Sequence, residues 1–279
     1  MAVDRVLFRR IEAGLSDPMV RIYEWEPACV TLGYSQKAEQ ELNFLALAER
    51  GFDWVKRPTG GRAVLHHQEF TYSILSRNDS APWCNTRDLS YAQIGKALVT
   101  LLNAVGISAE LARGEAAAVD KKKSIENNAA PACFASISRL EVSYAGKKLV
   151  GSAQRRGRTV FLQHGSMPLT TSHLDLIDLL AISPMQRAGY LEPVQHHALD
   201  VAQLTQGKIG YSQLALITSQ AFSTGLGLPL LASGLTREEI DEVEQEWRDF
   251  PHGCDSHEIK STARNPGSIR HNESARLQL

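Results

Sequence analysis

The sequence predicts an α+β fold, with mixed, largely antiparallel sheets flanked by helices and a small helical part at the C-terminal end. Three observations carry this expectation. Runs rich in β-branched and aromatic residues crowd the chain before Pro168, and Gly- and Pro-bearing turns separate them. Helices fall before, between and after these runs, without a regular βαβ succession. Beyond Pro168 the apolar spacing becomes helical. No internal repeat period is visible.

The opening residues put Val3, Val6, Leu7 and Ile11 at helical spacing, giving a short amphipathic helix that ends near Gly14. MVRIYEW (19–25) and ACVTLGY (28–34), divided by Pro27, read as paired strands. ELNFLALAERG reads as a helix closed by Gly51. FDWVKR (52–57) and EFTYSILS (69–76) read as strands around PTGGRAVLHHQ, a turn-rich loop with a proline and paired glycines. The clearest helix is 89–105, where Leu89, Ile94, Leu98, Leu101 and Leu102 supply an apolar face and Gly106 stops it.

Residues 114–132 are alanine-rich and polar, carry the run Lys121 to Lys123, and show no apolar period, so a mobile loop is expected. RLEVSYAG, KKLVGSAQRR and RTVFLQHGSMPL then alternate like three consecutive strands of a meander. SHLDLIDLLAI, GYSQLALITSQAFSTGLG and TREEIDEVEQEWRDF read as helices of a small helical subdomain, the last with a capping box from Thr236 to Glu239. Residues 251–279 are polar and nearly free of large apolar side chains, which predicts one domain over 1–250 and a disordered tail.

With 279 residues and 43% hydrophobic composition the chain can bury a full core. Thirty basic residues against thirty-one acidic ones leave no global field favouring nucleic acid or anionic lipid. The N-terminus lacks the apolar core of a signal peptide, and no stretch approaches the roughly eighteen apolar residues of a membrane span, so a soluble cytoplasmic protein is expected. Cys29, Cys84, Cys133 and Cys254 lie far apart without a C-x-x-C pair, which argues against a zinc cluster or a disulfide framework.

Cys133, in PACFAS between the loop and the meander, stands where a nucleophile can face a cleft, although a lone cysteine also reads as a small buried hydrophobe. In GKKLVGSAQRR the cation Lys148 stands three residues before Gly151, whose missing Cβ admits close approach, and a nearby ammonium would favour a thiolate. Strand alternation lets only one of Lys147 and Lys148 point inward. Arg57, Gly60, Gly61 and the pair His66, His67 could supply donors to a developing oxyanion or a carboxyl group; a plain hairpin turn is an equally simple reading. His66, His67 and His164 lack the carboxylate or cysteine partners of a metal spacing, so no metal is expected. Neither a P-loop nor a dinucleotide fingerprint is present.

In order along the chain, RPTGGRAVLHHQEFTYS, ACFAS, EVSYAGKKLVGSAQRR and FLQHGSMPL resemble the lipoate-protein ligase and biotin-ligase superfamily over about residues 1–250. Within it they are most similar to the cysteine-dependent octanoyltransferases that load glycine cleavage H protein, where a Cys-Phe pair precedes the meander, as Cys133-Phe134 does here. The resemblance implies that superfamily's catalytic domain, with an acyl tunnel between the Gly-rich loop and the lysine loop. It implies Cys133 as the acyl-carrying residue and Lys148, in K-x-x-G-S-A, as the holder of the acyl oxygen. Arg57, Gly60, Gly61, Arg62, His66, Gly151, Ser152, Ala153 and His164 are the substrate-binding residues it implies. It also implies an acyl carrier protein as donor, a lipoyl-domain protein such as glycine cleavage H protein as acceptor, and no required cofactor. Departures are His67 for a usual aspartate, Arg5 for a usual glutamate, and no strand ahead of MAVD, which leaves one sheet edge uncovered.

Two rival readings follow from the same residues. An ATP- and Mg-dependent lipoate or octanoate ligase would hold an acyl-adenylate and dispense with Cys133; Gly60-Gly61-Arg62, where such ligases usually carry three glycines, disfavours it. A non-catalytic binder of acyl groups or lipoyl domains would keep the fold without turnover.

Overall fold

A computed structural model describes residues 1–79, 81–83, 86–112 and 140–249, and the backbone alone of 273–277. Cys84, Cys133, Cys254 and Lys121 to Lys123 lie outside the described residues. The chain runs through α1 (Ala2–Glu12), β1 (Met19–Tyr23), β2 (Cys29–Leu32), α2 (Ala38–Glu41), α3 (Phe44–Arg50), β3 (Asp53–Lys56), β4 (Val64–His66) and β5 (Glu69–Arg77). It continues with α4 (Arg87–Ala104), β6 (Glu110–Leu111), β7 (Val142–Tyr144), β8 (Lys147–Lys148), β9 (Gly151–Arg156) and β10 (Val160–Pro168). A 3₁₀ stretch (Thr171–Leu179), α5 (Pro184–His197), α6 (Val201–Thr205), α7 (Tyr211–Leu226), β11 (Leu230–Ala232), α8 (Arg237–Asp249) and β12 (Glu273–Leu277) complete it.

The principal sheet has the order β11-β12-β1-β5-β10-β9, every pair antiparallel. Along β1, β5 and β10 the side chains alternate between its two faces. Val20, Ile22, Phe70, Tyr72, Ile74 and Phe161 enter one core with α4 and α7. Met19, Leu75, Val160 and Leu162 enter another with Val3, Val6, Leu7 and Ile11 of α1 and Val243 of α8. The sheet is therefore covered by helices on both faces, which is why β1 and nearly all of β5 and β10 are buried along their length. A second sheet, β3-β2-β4, packs with α2, α3, the 3₁₀ stretch and α5 around Val30, Leu32, Leu65 and Leu179. The third, β6-β7-β8, is small.

Helix α4 is as expected, with Thr86 capping it by accepting from Leu89 N and with Ile94, Leu98, Leu101 and Leu102 buried. Leu89 is the exception, at 44% exposed. Nine residues at about 100° each put it half a turn round from Leu98, on the outer face. Gly51 ends α3 in the left-handed region (φ +66), and the Thr236–Glu239 capping box forms.

Several expectations are corrected. The strands at 19–25 and 28–34 do not pair with each other: β1 joins the principal sheet and β2 the second one. KKLVGSAQRR is not one strand, because Leu149 and Val150, both fully buried, cross from the third sheet to the principal one. The helix read at SHLDLIDLLAI is a 3₁₀ stretch, and α5 was not foreseen; Pro193 lies inside it and interrupts its pattern. The helical C-terminal part shares its core with the sheet, since Leu214 and Phe222 of α7 pack with Tyr72 and Leu98. The tail expected to be disordered includes β12, which lies between β1 and β11 and covers β1 from Met19 to Ile22. Pairing satisfies backbone groups that an open edge of β1 would present to water. Among the described residues no helix is long and apolar enough to cross a membrane.

Candidate active site

A cavity opens where the second sheet meets β9 and β10. Arg57, His66, Gly151, Ser152, Ala153 and His164 line it, together with Met1, Tyr23, Thr31, Val64, Thr71, Gly165 and Ser166. Six of the residues expected to bind substrate thus converge from segments more than a hundred positions apart. Gly60, Gly61 and Arg62 are not on its wall; Gly61 is exposed and Gly60 and Arg62 are half-buried.

Arg57 organises the glycine loop from within. Its guanidinium donates to Gly60 O at 3.0 Å, to Arg62 O at 2.6 Å, and to Thr31 O at 2.9 Å. The loop can fold this tightly because Gly61 is left-handed (φ +96) and a Cβ there would lie 2.8 Å from Arg57 Nη2. Gly165 plays the same part in β10, where a Cβ would meet the Tyr72 ring at 2.5 Å and Gly151 O at 2.7 Å.

Two histidine–carboxylate arrangements flank the cavity. Buried Glu69 accepts from His66 Nδ1 at 2.5 Å and from the hydroxyls of Thr71 and Ser166. A carboxylate only accepts, so His66 carries a proton on Nδ1, and its Nε2 lies 2.8 Å from the Thr31 hydroxyl. Arg57 Nη1 lies 3.1 Å from that hydroxyl, and a row Arg57–Thr31–His66–Glu69 results. Trp25 stacks on the His66 ring at 4.5 Å and donates to Thr71 at 3.0 Å, which fixes the ring plane.

On the opposite side His164 receives the Thr59 hydroxyl on Nε2 at 2.6 Å and turns Nδ1 toward Asp4 at 3.7 Å. Burial pushes the His164 pKa down, against the opposing bond and charge of Asp4, so the ring is held neutral. Asp4, fully buried, bonds to Arg21 at 2.5 Å and accepts from Ser73 at 3.0 Å. Burial alone would raise its pKa, but Arg21 and then His164 outweigh that and hold the carboxyl well below its usual range.

Behind Ser152 runs a second buried row. Tyr72 OH and Ser152 Oγ lie 2.8 Å apart, Gln163 donates to Tyr72 at 3.2 Å, and Gln154 donates to Gln163 at 3.0 Å. Burial pushes the Tyr72 hydroxyl up to about 12, so it stays protonated and available as a donor.

Lys148 is the inward member of its pair, 2% exposed, while Lys147 is half-buried. It is not on the cavity wall. Its Nζ lies 2.7 Å from Glu141 Oε1, three residues ahead of Gly151 in sequence. His67 lies off the cavity, against Phe52 at 5.3 Å. Cys29 is buried, and burial pushes its thiol up, so it is not a reactive thiol. A larger cavity lies between α4, α7 and β6, but it contains none of the expected site residues.

Sequence reasoning passed over Asp4, Thr31, Thr59, Glu69, Glu141 and Ser166. Asp4 did leave a signal, because it sits beside Val3 on the apolar stripe of α1, where an unpaired acid would be costly. Glu69 heads an otherwise apolar strand in the same way. The three hydroxyls carry no such mark.

Residues 1–223 match the family model of the lipoyl protein ligase A/B catalytic domain. A protein of Kyrpidia tusciae named octanoyltransferase LipM is 35% identical over 88% of this chain and 89% of its own length. One of the same name from Bacillus subtilis is 32% identical over 87% of each. Among solved structures, lipoate-protein ligase A bound with ATP superposes with a TM-score of 0.67 at 20% identity, over 89% of this chain and 88% of the other. A bipartite lipoate protein ligase of Thermoplasma acidophilum, studied with its E2 lipoyl domain, gives 0.68 at 19% identity, over 89% and 86%. At these identities the two structures are evidence of a shared fold.

Proposed function

Because the chain belongs to the lipoyl protein ligase A/B catalytic-domain family, we propose that it transfers octanoyl from octanoyl-acyl carrier protein to a lysine of a lipoyl domain, such as that of glycine cleavage H protein. The enzyme is an octanoyltransferase of protein lipoylation. The observation that carries this reading is 35% identity to an octanoyltransferase over 88% of the chain.

In the first half-reaction the Cys133 thiolate attacks the carbonyl carbon of the carrier's thioester. A new C–S bond forms, the old one breaks, and the carrier thiolate leaves and takes a proton. Exchange of one thioester for another needs no ATP. In the second half, the neutral acceptor amine attacks the Cys133 thioester; a C–N bond forms, the C–S bond breaks, and the amine proton passes to the departing cysteine sulfur. The amide is the more stable product, so this half runs downhill.

The described residues contribute binding and polarity. Gly151, Ser152 and Ala153 form one wall of the pocket, and His66 and His164 the others. By its place in K-x-x-G-S-A, Lys148 is the proposed holder of the acyl oxygen, three residues before Gly151 and off the cavity wall. Glu69 and Thr31 hold the His66 ring, and Thr59 and Asp4 hold that of His164.

Purified protein mixed with octanoyl-acyl carrier protein, without ATP, tests the covalent step by intact mass. An octanoyl adduct that hydroxylamine removes and that Cys133→Ala lacks is the expected result. No adduct on folded protein, with an acyl-adenylate formed once ATP and Mg are added, would replace this reading with the ligase.

A further inference from the structure

We propose that Arg87, Arg155, Arg156 and Arg158, gathered at the far end of β9, are the docking surface for the acyl donor, an anionic carrier protein whose prosthetic arm follows β9 into the cavity. The inference rests on the octanoyltransferase reading and adds where the donor sits.

Strand β9 is the edge of the principal sheet. Its first residues, Gly151, Ser152 and Ala153, are cavity wall, and its last are Arg155 and Arg156. At roughly 3.4 Å per residue the strand carries the chain about 17 Å from Gly151 to Arg156. Arg155 lies opposite Leu162 and Ala153 opposite His164, so both belong to the face that α1 covers. The guanidinium of Arg155 accordingly stands over the Phe8 ring of α1, 5.1 Å from its centre. Arg156 takes the other face, 3.4 Å from Ser90 Oγ on α4 and 5.8 Å from the centre of the Phe161 ring. Arg158 follows in the β9–β10 turn and Arg87 opens α4, both exposed. The edge is thus flanked by arginine on both faces and beyond its end.

None of these four guanidinium groups has a carboxylate partner among the described residues. Nearby acids are committed elsewhere. Glu12 accepts the main-chain N–H of Arg158 at 2.9 Å, Asp79 pairs with Arg77, and on α8 Glu246 pairs with Arg9 and Glu238 and Glu242 with Arg10. Burial, and then the charge of Arg87, lowers the Arg156 pKa, so these two cations repel each other. With 30 basic and 31 acidic residues in the whole chain, the surplus is local, and a bound anion relieves it. Arginines on an edge strand also discourage pairing with other sheets, but Arg87 lies on a helix and contributes nothing to that.

Reach selects the donor over the acceptor as the occupant. A lysine side chain has only a four-carbon stem, so the acceptor domain has to abut the cavity itself. A carrier's thioester ends an arm several times longer, rooted in a phosphodiester, which leaves the carrier body and its negative charge at a distance. Guanidinium groups suit both a phosphodiester and carboxylates.

The test compares two donors by the rate of octanoyl adduct formation in intact mass. One is octanoyl-acyl carrier protein; the other is octanoyl-N-acetylcysteamine, which has the same thioester without phosphate or protein. Arg155→Glu/Arg158→Glu should raise the half-saturating concentration of the carrier at least about tenfold with little change in the maximal rate. Its rate with the small thioester should stay within about twofold of wild type, which also reports an intact fold. Adding Arg87→Glu should raise the carrier's half-saturation further. In wild type, raising NaCl from about 50 to 300 mM should slow acylation by dilute carrier at least about fivefold and leave the small thioester unaffected. Should charge reversal prevent folding, Arg155→Gln/Arg158→Gln should still raise half-saturation by the carrier at least about threefold.

Unchanged half-saturation in the folded variant means that the arginines only guard the edge, and overturns the proposal. Equal losses with both donors also overturn it, since the effect is then structural. Normal acylation followed by slow transfer to the lipoyl domain would assign the surface to the acceptor instead. If wild type forms no adduct with either donor, the octanoyltransferase reading falls; calorimetric titration with the carrier bearing its free thiol arm still decides the surface, by tighter binding to wild type than to Arg155→Glu/Arg158→Glu.

Discussion

Replacing Asp4 by asparagine tests the buried charge pair behind the pocket. Asp4 and Arg21 are 0% and 4% exposed at the side chain and 2.5 Å apart. The substitution keeps the shape and an acceptor for Ser73, but leaves the Arg21 guanidinium in the core without its counter-charge, the Tyr23 ring, 4.8 Å from its carbon, giving partial compensation. Breaking a buried pair by removing one partner costs about 3–5 kcal/mol. At roughly 2–4 °C per kcal/mol for a chain of this size, the melting temperature should fall by about 6–20 °C. Urea denaturation measures the loss directly. Removing both charges in Asp4→Asn/Arg21→Met should restore most of it, since the uncompensated charge is then gone. The pH dependence has a definite sign. The folded carboxyl is depressed, so its stabilisation is complete above the unfolded value of about 3.9 and is lost as pH falls toward the folded one. The gap between wild type and Asp4→Asn should therefore narrow below about pH 4. A loss under about 1 kcal/mol at pH 7, or a double variant no more stable than Asp4→Asn, would refute the reasoning.

Four further outcomes are expected. Gly165→Ala should cost about 1–3 kcal/mol by thermal unfolding, because the new methyl meets a backbone oxygen of Gly151 at 2.7 Å that cannot rotate away. Thr86→Ala should cost about 1 kcal/mol through loss of the α4 cap, measured by urea unfolding. Deleting residues 273–279 should expose the edge of β1, read as faster hydrogen exchange of the β1 amides that face β12, with those facing β5 still protected. Cys29 should resist iodoacetamide in the folded protein from pH 7 to 9 and react on unfolding, by peptide mass analysis, since burial raises its thiol pKa.

The sequence alone was enough for the fold class, the longer helices and strands, and the family. Those features are written in local signals: the period of α4, the Thr236–Glu239 box, the glycines that close α3 and α7, and the short motifs around Arg57, His66, Lys148 and His164. It also limited Lys147 and Lys148 to one inward member, since alternation forbids both.

Only tertiary structure decided which strands pair, and the reason is that period-2 patterning reports burial without naming a neighbour. Strands β1 and β2 look alike in sequence, yet lie in different sheets. In the same way β12 is too short and polar to announce itself, and its place against β1 comes from an available edge. The acid partners Asp4, Glu69 and Glu141 lie from three to 160 residues from the groups they bond, His66, His164 and Lys148. Their roles depend on burial and on a few tenths of an ångström, which no spacing along the chain contains.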